Sequence, residues 1–227
     1  MRPAPGEVLH FSEDPTITRF VPHVAPTARQ PEAYVWAVGG DRAPDYWFPR
    51  QCPRAMAWTV PGTTDEDRAR ILGPGGGERV HAIEYDWLDR LRTTELFAYR
   101  LPAAAFRPFG EPVPSAVVAT EPVVPLGPPE PVGDLLKLHR DAGIQLRVLD
   151  NLWGFWDEVI TSTLGFSGIR LRNAKPAREP GPGTGPGPGP GPEQPTRTAP
   201  SPALRKPVRR RLAPPPAETS APLTPPA

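Results

Sequence analysis

Three side chains far apart in the sequence are each candidates for chemistry: His10, Tyr46 and Glu121. His10 sits at the end of Val8-Leu9-His10-Phe11, a short strand pattern that runs into the polar turn Ser12-Glu13-Asp14-Pro15. A strand backbone there would hold an imidazole whose nitrogens can meet a ribose hydroxyl or a carbonyl. Tyr46 and Trp47, just past a strand, offer a stacking wall for a flat ring. Glu121 ends another strand pattern and is followed by Pro122, which restricts its backbone, so its carboxylate could face a developing cation or a hydroxyl. Each residue also has an ordinary role open to it. His10 can be bonded to a backbone carbonyl, the two rings can be core, and Glu121 can be a solvated edge charge.

A second group surrounds the lone cysteine, in Pro49-Arg50-Gln51-Cys52-Pro53-Arg54. Two flanking arginines would lower a thiol's pKa if they point at it. With Pro53 beside it and no second cysteine, a structural thiol in a rigid corner is the favoured reading. With one cysteine, an internal disulfide and an all-cysteine zinc site are both excluded. The four histidines are scattered singly, with no His-Glu-x-x-His, so no metal site is expected. Gly73-Pro74-Gly75-Gly76-Gly77 has no following lysine, and no Gly-x-Ser-x-Gly occurs. Phosphate-loop, zinc-hydrolase and serine-hydrolase chemistries lose their support.

Strands and short helices alternate irregularly among the elements that must position these residues. Strand patterns cover Val8–Phe11, Tyr34–Val38, Ala55–Val60, Arg79–Glu84, Leu96–Leu101, Val117–Thr120, Ile144–Leu149 and Phe166–Leu171. Asp41 could cap a helical turn over Arg42–Phe48, and Thr64 opens a helix that stops at Gly73. Asp86–Arg92 form a short helix, and Val132, Leu135, Leu136, His139 and Ala142 share a helical face ended by Gly143. Asn151 is the expected cap of a helix carrying Leu152, Phe155, Trp156, Val159 and Ile160. The order lacks regular βαβ spacing. It predicts an α+β fold with a mixed, mostly antiparallel twisted sheet and short helices.

Composition divides the chain at about Ala174. All 18 aromatic residues precede it, whereas residues 175–227 hold 17 of the 37 prolines. Residues 1–174 are expected to form a single domain and 175–227 a disordered basic tail. The tail's net charge is +5 and that of residues 1–174 is −4. A domain of that sign does not suit general nucleic-acid binding. The cluster Arg205-Lys206 to Arg209-Arg210-Arg211 could touch anionic surfaces weakly, or only solubilise. No apolar run approaches the 18 residues of a membrane span, and no signal-like leader is present, so a cytoplasmic location is expected.

Two resemblances rest on these residues. His10-Phe11-Ser12-Glu13-Asp14-Pro15, Tyr46-Trp47-Phe48-Pro49-Arg50-Gln51-Cys52-Pro53-Arg54, Glu121-Pro122-Val123-Val124-Pro125 and Phe166 to Ala174 resemble a family of bacterial proteins of unknown function over residues 7–174. The order of strand-end histidine, aromatic cluster and late glutamate, separated by 36 and 75 residues, is similar to the His-Tyr-Glu pattern of ADP-ribosyltransferase-like folds. That resemblance implies NAD as ligand, with His10 on its ribose, Tyr46 on nicotinamide and Glu121 stabilising an oxocarbenium-like state. His10, Ser12, Tyr46, Arg50 and Arg54 would bind the nucleotide, the arginines near its pyrophosphate. The implied reaction is cleavage of the nicotinamide–ribose bond with transfer to an acceptor. The rival reading is a non-catalytic ligand-binding or interaction domain on the same fold. Tyr34 competes for the tyrosine role, and no second acidic residue or Ser-Thr-Ser triplet accompanies Glu121.

Overall fold

The computed structural model describes residues 1–24, 32–110 and 114–177, which fall in one compact unit, Met1–Pro182. The Gly-Pro repeat and the basic cluster lie outside the described residues. In chain order, β1 (Glu7–Ser12), β2 (Val35–Ala37) and β3 (Arg54–Trp58) precede helix α1 (Asp65–Ile71). β4 (Arg79–Glu84), α2 (Leu88–Thr93), β5 (Phe97–Pro102), β6 (Arg107–Phe109) and β7 (Ala116–Ala119) come next. β8 (Glu130–Pro131), α3 (Leu135–Asp141), β9 (Gln145–Leu149), α4 (Trp153–Ile160) and β10 (Gly165–Ile169) complete the order.

The fold is α+β, with strands in three sheets ordered β1-β5-β8, β10-β3-β4-β9 and β2-β7-β6. Among the described residues every ladder is antiparallel except β4 with β9. One bridge, Leu9 to Val38, ties the first sheet to the third.

The four-stranded sheet is covered on both faces, which explains why β3 and β4 are buried almost throughout instead of alternating with water. Side-chain alternation still sorts the two faces. Met56 and Ile83 join Trp47, Phe48, Leu91 and Leu135 in the core beneath α2 and α3. Ala57 and Val80 pack with Ile71, Leu72, Val159 and Leu164 on the side of α1 and α4. Period two therefore puts Arg54 on the Met56 face, and His81 on the Ile83 face.

Several local expectations change. Asp41 caps nothing: the turn is a 3-10 helix, Ala43–Tyr46, with Arg42 at its N-cap and no side-chain cap bond. Pro44 sits in the first turn, where a missing N–H costs nothing, but Pro49 biases Phe48 away from helix and stops the turn short. The last strand ends at Ile169, because Arg170 adopts a left-handed backbone (φ 57°) and Leu171–Asn173 turn as a 3-10 helix. Asn151 receives the N–H of Trp153 at 3.0 Å, but the N-cap position of α4 is Leu152. The N–H of Leu152 goes to the buried carboxylate of Glu84, whose oxygens also take the N–H of Lys175 at 3.0 and 3.2 Å. Trp153 Nε1 donates to the Lys175 carbonyl and Asn151 to that of Pro176, so the chain stays fastened to the domain through residue 176.

Candidate functional site

A cavity of about 790 Å3 opens where β1, β2, the turn ending at Tyr46 and the β3–β10 pair meet. Each wall can be traced to local sequence. β1 lies against β5 with His10 opposite Tyr99, and the His10 ring bonds the Trp36 carbonyl through Nδ1 at 2.7 Å. A carbonyl only accepts, so Nδ1 carries the proton and Nε2 keeps a lone pair. The ring packs on Phe20 with centroids 4.6 Å apart. Burial lowers the pKa of His10 to about 4, so the imidazole is neutral near pH 7. Tyr99 anchors the turn after β1, donating to the Asp14 carbonyl at 2.6 Å and accepting from the Ile17 N–H at 3.1 Å.

Aromatic and cationic groups line the rest. Trp36, Tyr46, Phe48 and Phe11 supply rings, and Arg50, Arg54, Arg170 and Arg172 supply guanidinium groups. Among the described residues, no carboxylate lines this cavity. The Trp36 Nε1 N–H has no hydrogen-bond partner among the described residues.

Arg54 is the innermost of the arginines, only 3% exposed. Its Nε donates to the Asp45 carbonyl at 2.8 Å and its Nη1 to the Cys52 carbonyl at 2.9 Å. Its guanidinium lies 5.0 Å from the Phe48 ring centroid and 5.7 Å from that of Tyr46. Both hydrogen-bond acceptors are neutral, and no ion pair to Arg54 is present among the described residues. Burial holds its pKa below the ordinary arginine value. The nearby Asp45 charge, paired to Arg42 and Arg79, offsets this only in part, so a buried cation without its own ion-pair partner beside a cavity is costly unless something anionic approaches it.

Behind the turn that carries Tyr46 lies a buried ion cluster. Asp45 meets Arg79 at 3.1 Å and Arg42 at 3.0 Å, and both arginines stack on Trp58, 4.5 and 4.4 Å from its ring. His139 donates from Nδ1 to the Leu135 carbonyl at 2.7 Å, leaving Nε2 to accept from His81 Nδ1 at 3.0 Å. His81 Nε2 then faces Asp45 at 3.8 Å. Burial lowers the pKa of both histidines and raises that of Asp45.

Of the residues the sequence singled out, His10, Tyr46, Arg50 and Arg54 line the same cavity. Burial raises the pKa of the Tyr46 hydroxyl, so it stays protonated. Ser12 is buried but does not line it, and its hydroxyl accepts the Asp14 N–H at 3.1 Å. Glu121 is exposed and is not part of the lining. The strand before it explains why: Ala116, at the start of β7, reaches the cavity, and Glu121 lies past the other end. Trp47 belongs to the core. Tyr34 is buried away from the cavity, with Arg107 on its hydroxyl at 3.2 Å.

The thiol is structural, the role its proline-flanked setting favoured. Cys52 is 0% exposed, and burial pushes its pKa up to about 12 despite Arg54. Arg54 faces the backbone carbonyl of Cys52, not its sulfur. Sequence reasoning missed Arg170, Arg172, Trp36 and His23 as lining residues. The arginine-rich composition hid the first two. Trp36 was legible only as a strand residue.

Among the described residues, no group of three or more His, Cys, Asp or Glu could hold a metal ion, and no helix is long and apolar enough to cross a membrane.

Fold and site thus define an α+β domain with an arginine-rich, aromatic-walled cavity. The chain belongs to a family of unknown function (DUF6886), whose model matches residues 9–174. No curated protein and no solved structure matches the chain.

Proposed function

We propose that this domain binds a nucleotide of the NAD class in the cavity between His10 and Arg54. The observation that carries the reading is Arg54, buried without a carboxylate partner at a cavity whose walls are aromatic rings. A phosphate oxygen would supply the missing charge, and guanidinium geometry suits it. The bare Nε2 of neutral His10 would accept a ribose hydroxyl, and Tyr46 or Trp36 would stack on a base or nicotinamide ring. The volume is in the range of small-molecule sites, roughly 300–1,000 Å3.

Cleavage of the nicotinamide–ribose bond, on the pattern of ADP-ribosyltransferase-like domains, is the second reading. It is favoured by His10 and Tyr46 lining one cavity. It needs a carboxylate at the reacting carbon, and Glu121 supplies one only if it enters a cavity it does not line. Binding without turnover is therefore placed first.

Purified protein incubated with NAD separates the two. A rise in melting temperature with intact NAD supports the binding domain. Release of nicotinamide that Glu121→Gln abolishes supports catalysis. No thermal shift and no isothermal heat with NAD, ADP-ribose, ADP or NADP would end the nucleotide reading.

A further inference from the structure

The four arginines of the cavity converge at one corner, and the sequence places them there by three separate devices. Arg54 opens β3 opposite Ile169, the last residue of β10, so Arg170 follows one residue beyond that pair. The left-handed backbone at Arg170 (φ 57°) turns the chain into the 3-10 segment that bears Arg172. A non-glycine residue seldom adopts that region, and such strain tends to collect at functional sites. Asn173 then donates to the Gln51 carbonyl at 2.8 Å, stapling this segment onto the turn that carries Arg50. Glu13 approaches the same turn, but it accepts the backbone N–H of Arg50 at 2.7 Å.

Like charges gathered this way oppose one another. The pKa of Arg170 is lowered by burial first and then by the charges of Arg172 and Arg50, and that of Arg54 by burial and, in part, by Arg170. The cations differ in depth. Arg54 is buried, whereas Arg50 and Arg172 are exposed at the mouth. A pyrophosphate diester brings two negative charges, fewer than the guanidinium groups of Arg50, Arg54 and Arg172 together. A phosphomonoester adds about 1.5 to 2 more near pH 7. Its strongly hydrated dianion suits cations at a solvent-facing mouth.

We infer that the ligand of this cavity carries a phosphomonoester beside its diphosphate, bound at the mouth by Arg50 and Arg172 while Arg54 takes the diphosphate. This deepens the nucleotide reading above and rests on it. The monoester sits on a ribose; a singly substituted phosphate at the end of the chain, beyond the diphosphate, presents the same dianion, and the chemistry of recognition is the same.

Calorimetry on the full chain at fixed ionic strength tests it with four probes. NADP against NAD reports a ribose-borne monoester, and ATP against ADP-ribose reports a terminal phosphate beyond the diphosphate. At least one of these pairs is expected to show a preference of about tenfold or more for the monoester. Arg50→Gln and Arg172→Gln change exposed side chains and should leave the melting temperature of the free protein unchanged. Each is expected to cut the preference within a pair to about threefold or less, the ligand with the extra phosphate losing more affinity than its partner. Equal binding within both pairs would overturn the inference and leave the nucleotide site standing. A preference that survives both substitutions would overturn the assignment to Arg50 and Arg172. Binding of none of the four would overturn the nucleotide reading and this inference together.

Discussion

Arg54 Nε donates to the Asp45 carbonyl at 2.8 Å, so the innermost cation of the cavity is hung on the residue at the centre of the buried ion cluster. The carboxylate of Asp45 faces Arg42 and Arg79, while its backbone oxygen faces the cavity side. Orientation of Arg54 and packing of Asp45 are consequently coupled.

Arg54→Met should separate these roles from simple packing. It retains much of the apolar stem but leaves the Asp45 and Cys52 carbonyls without their donor. A loss of about 2–4 kcal/mol in chemical denaturation is expected. Nucleotide affinity should fall by about tenfold or more even at temperatures where the variant is fully folded. Unchanged affinity in a folded variant would remove Arg54 from the site.

Acid should destabilise the domain before its carboxylates titrate. His10, at about 4, and His81 and His139 all have pKa values below the ordinary 6.5 because burial disfavours their charged forms. The unfolded chain therefore binds more protons than the folded one as pH falls from 6.5. The stability from these three groups is complete above 6.5 and is lost as pH drops towards about 4. Asp45, raised by burial, acts with the opposite sign, but it is one group against three. Asp67, lowered to about 2 by its bonds to Arg70 and Thr163, contributes its loss only below about 3.8. Urea midpoints between pH 7 and pH 4.5 should decline, and a flat profile would contradict the burial of these imidazoles.

Glu84→Ala removes the buried acceptor shared by the N–H groups of Leu152 and Lys175. The expected cost is about 2–3 kcal/mol, because two donors lose a charged partner. Amide exchange should accelerate at Leu152 and Lys175 before it does so in β3. Protection that stays uniform would show that the chain after β10 is held by other contacts.

Cys52 should be silent. With its thiol pushed up to about 12 and no exposed surface, it should resist iodoacetamide at pH 7.5 in the folded protein and react fully in denaturant. Modification of the native protein at a rate near that of free cysteine would reopen a thiol role.

Ser12→Ala should leave nucleotide affinity unchanged, since the Ser12 hydroxyl serves the Asp14 N–H instead of the cavity. A small loss of stability, about 0.5–1.5 kcal/mol, is expected from the missing bond. A tenfold loss of affinity would instead place Ser12 at the ligand.

The local sequence determined most of the elements and part of the site. Period-two runs such as Arg79–Glu84 located strands, and Thr64 and Gly143 marked helix ends, because those signals act between neighbours in the chain. Proline and glycine content set the domain apart from the C-terminal residues. His10, Tyr46, Arg50 and Arg54 were legible as candidates because each stands beside a strand or turn signal. Which of them share a cavity was decided by tertiary pairing. The Leu9–Val38 bridge joins residues 29 positions apart, and the Ile169–Arg54 register joins residues 115 positions apart. The same pairing sends Glu121 past the far end of β7 and brings Arg170 and Arg172 in. Burial, which no local pattern measures, holds Cys52 as the core thiol its proline-flanked setting suggested. It also left Arg54 as a cation facing a cavity with no carboxylate among its described lining residues to answer it.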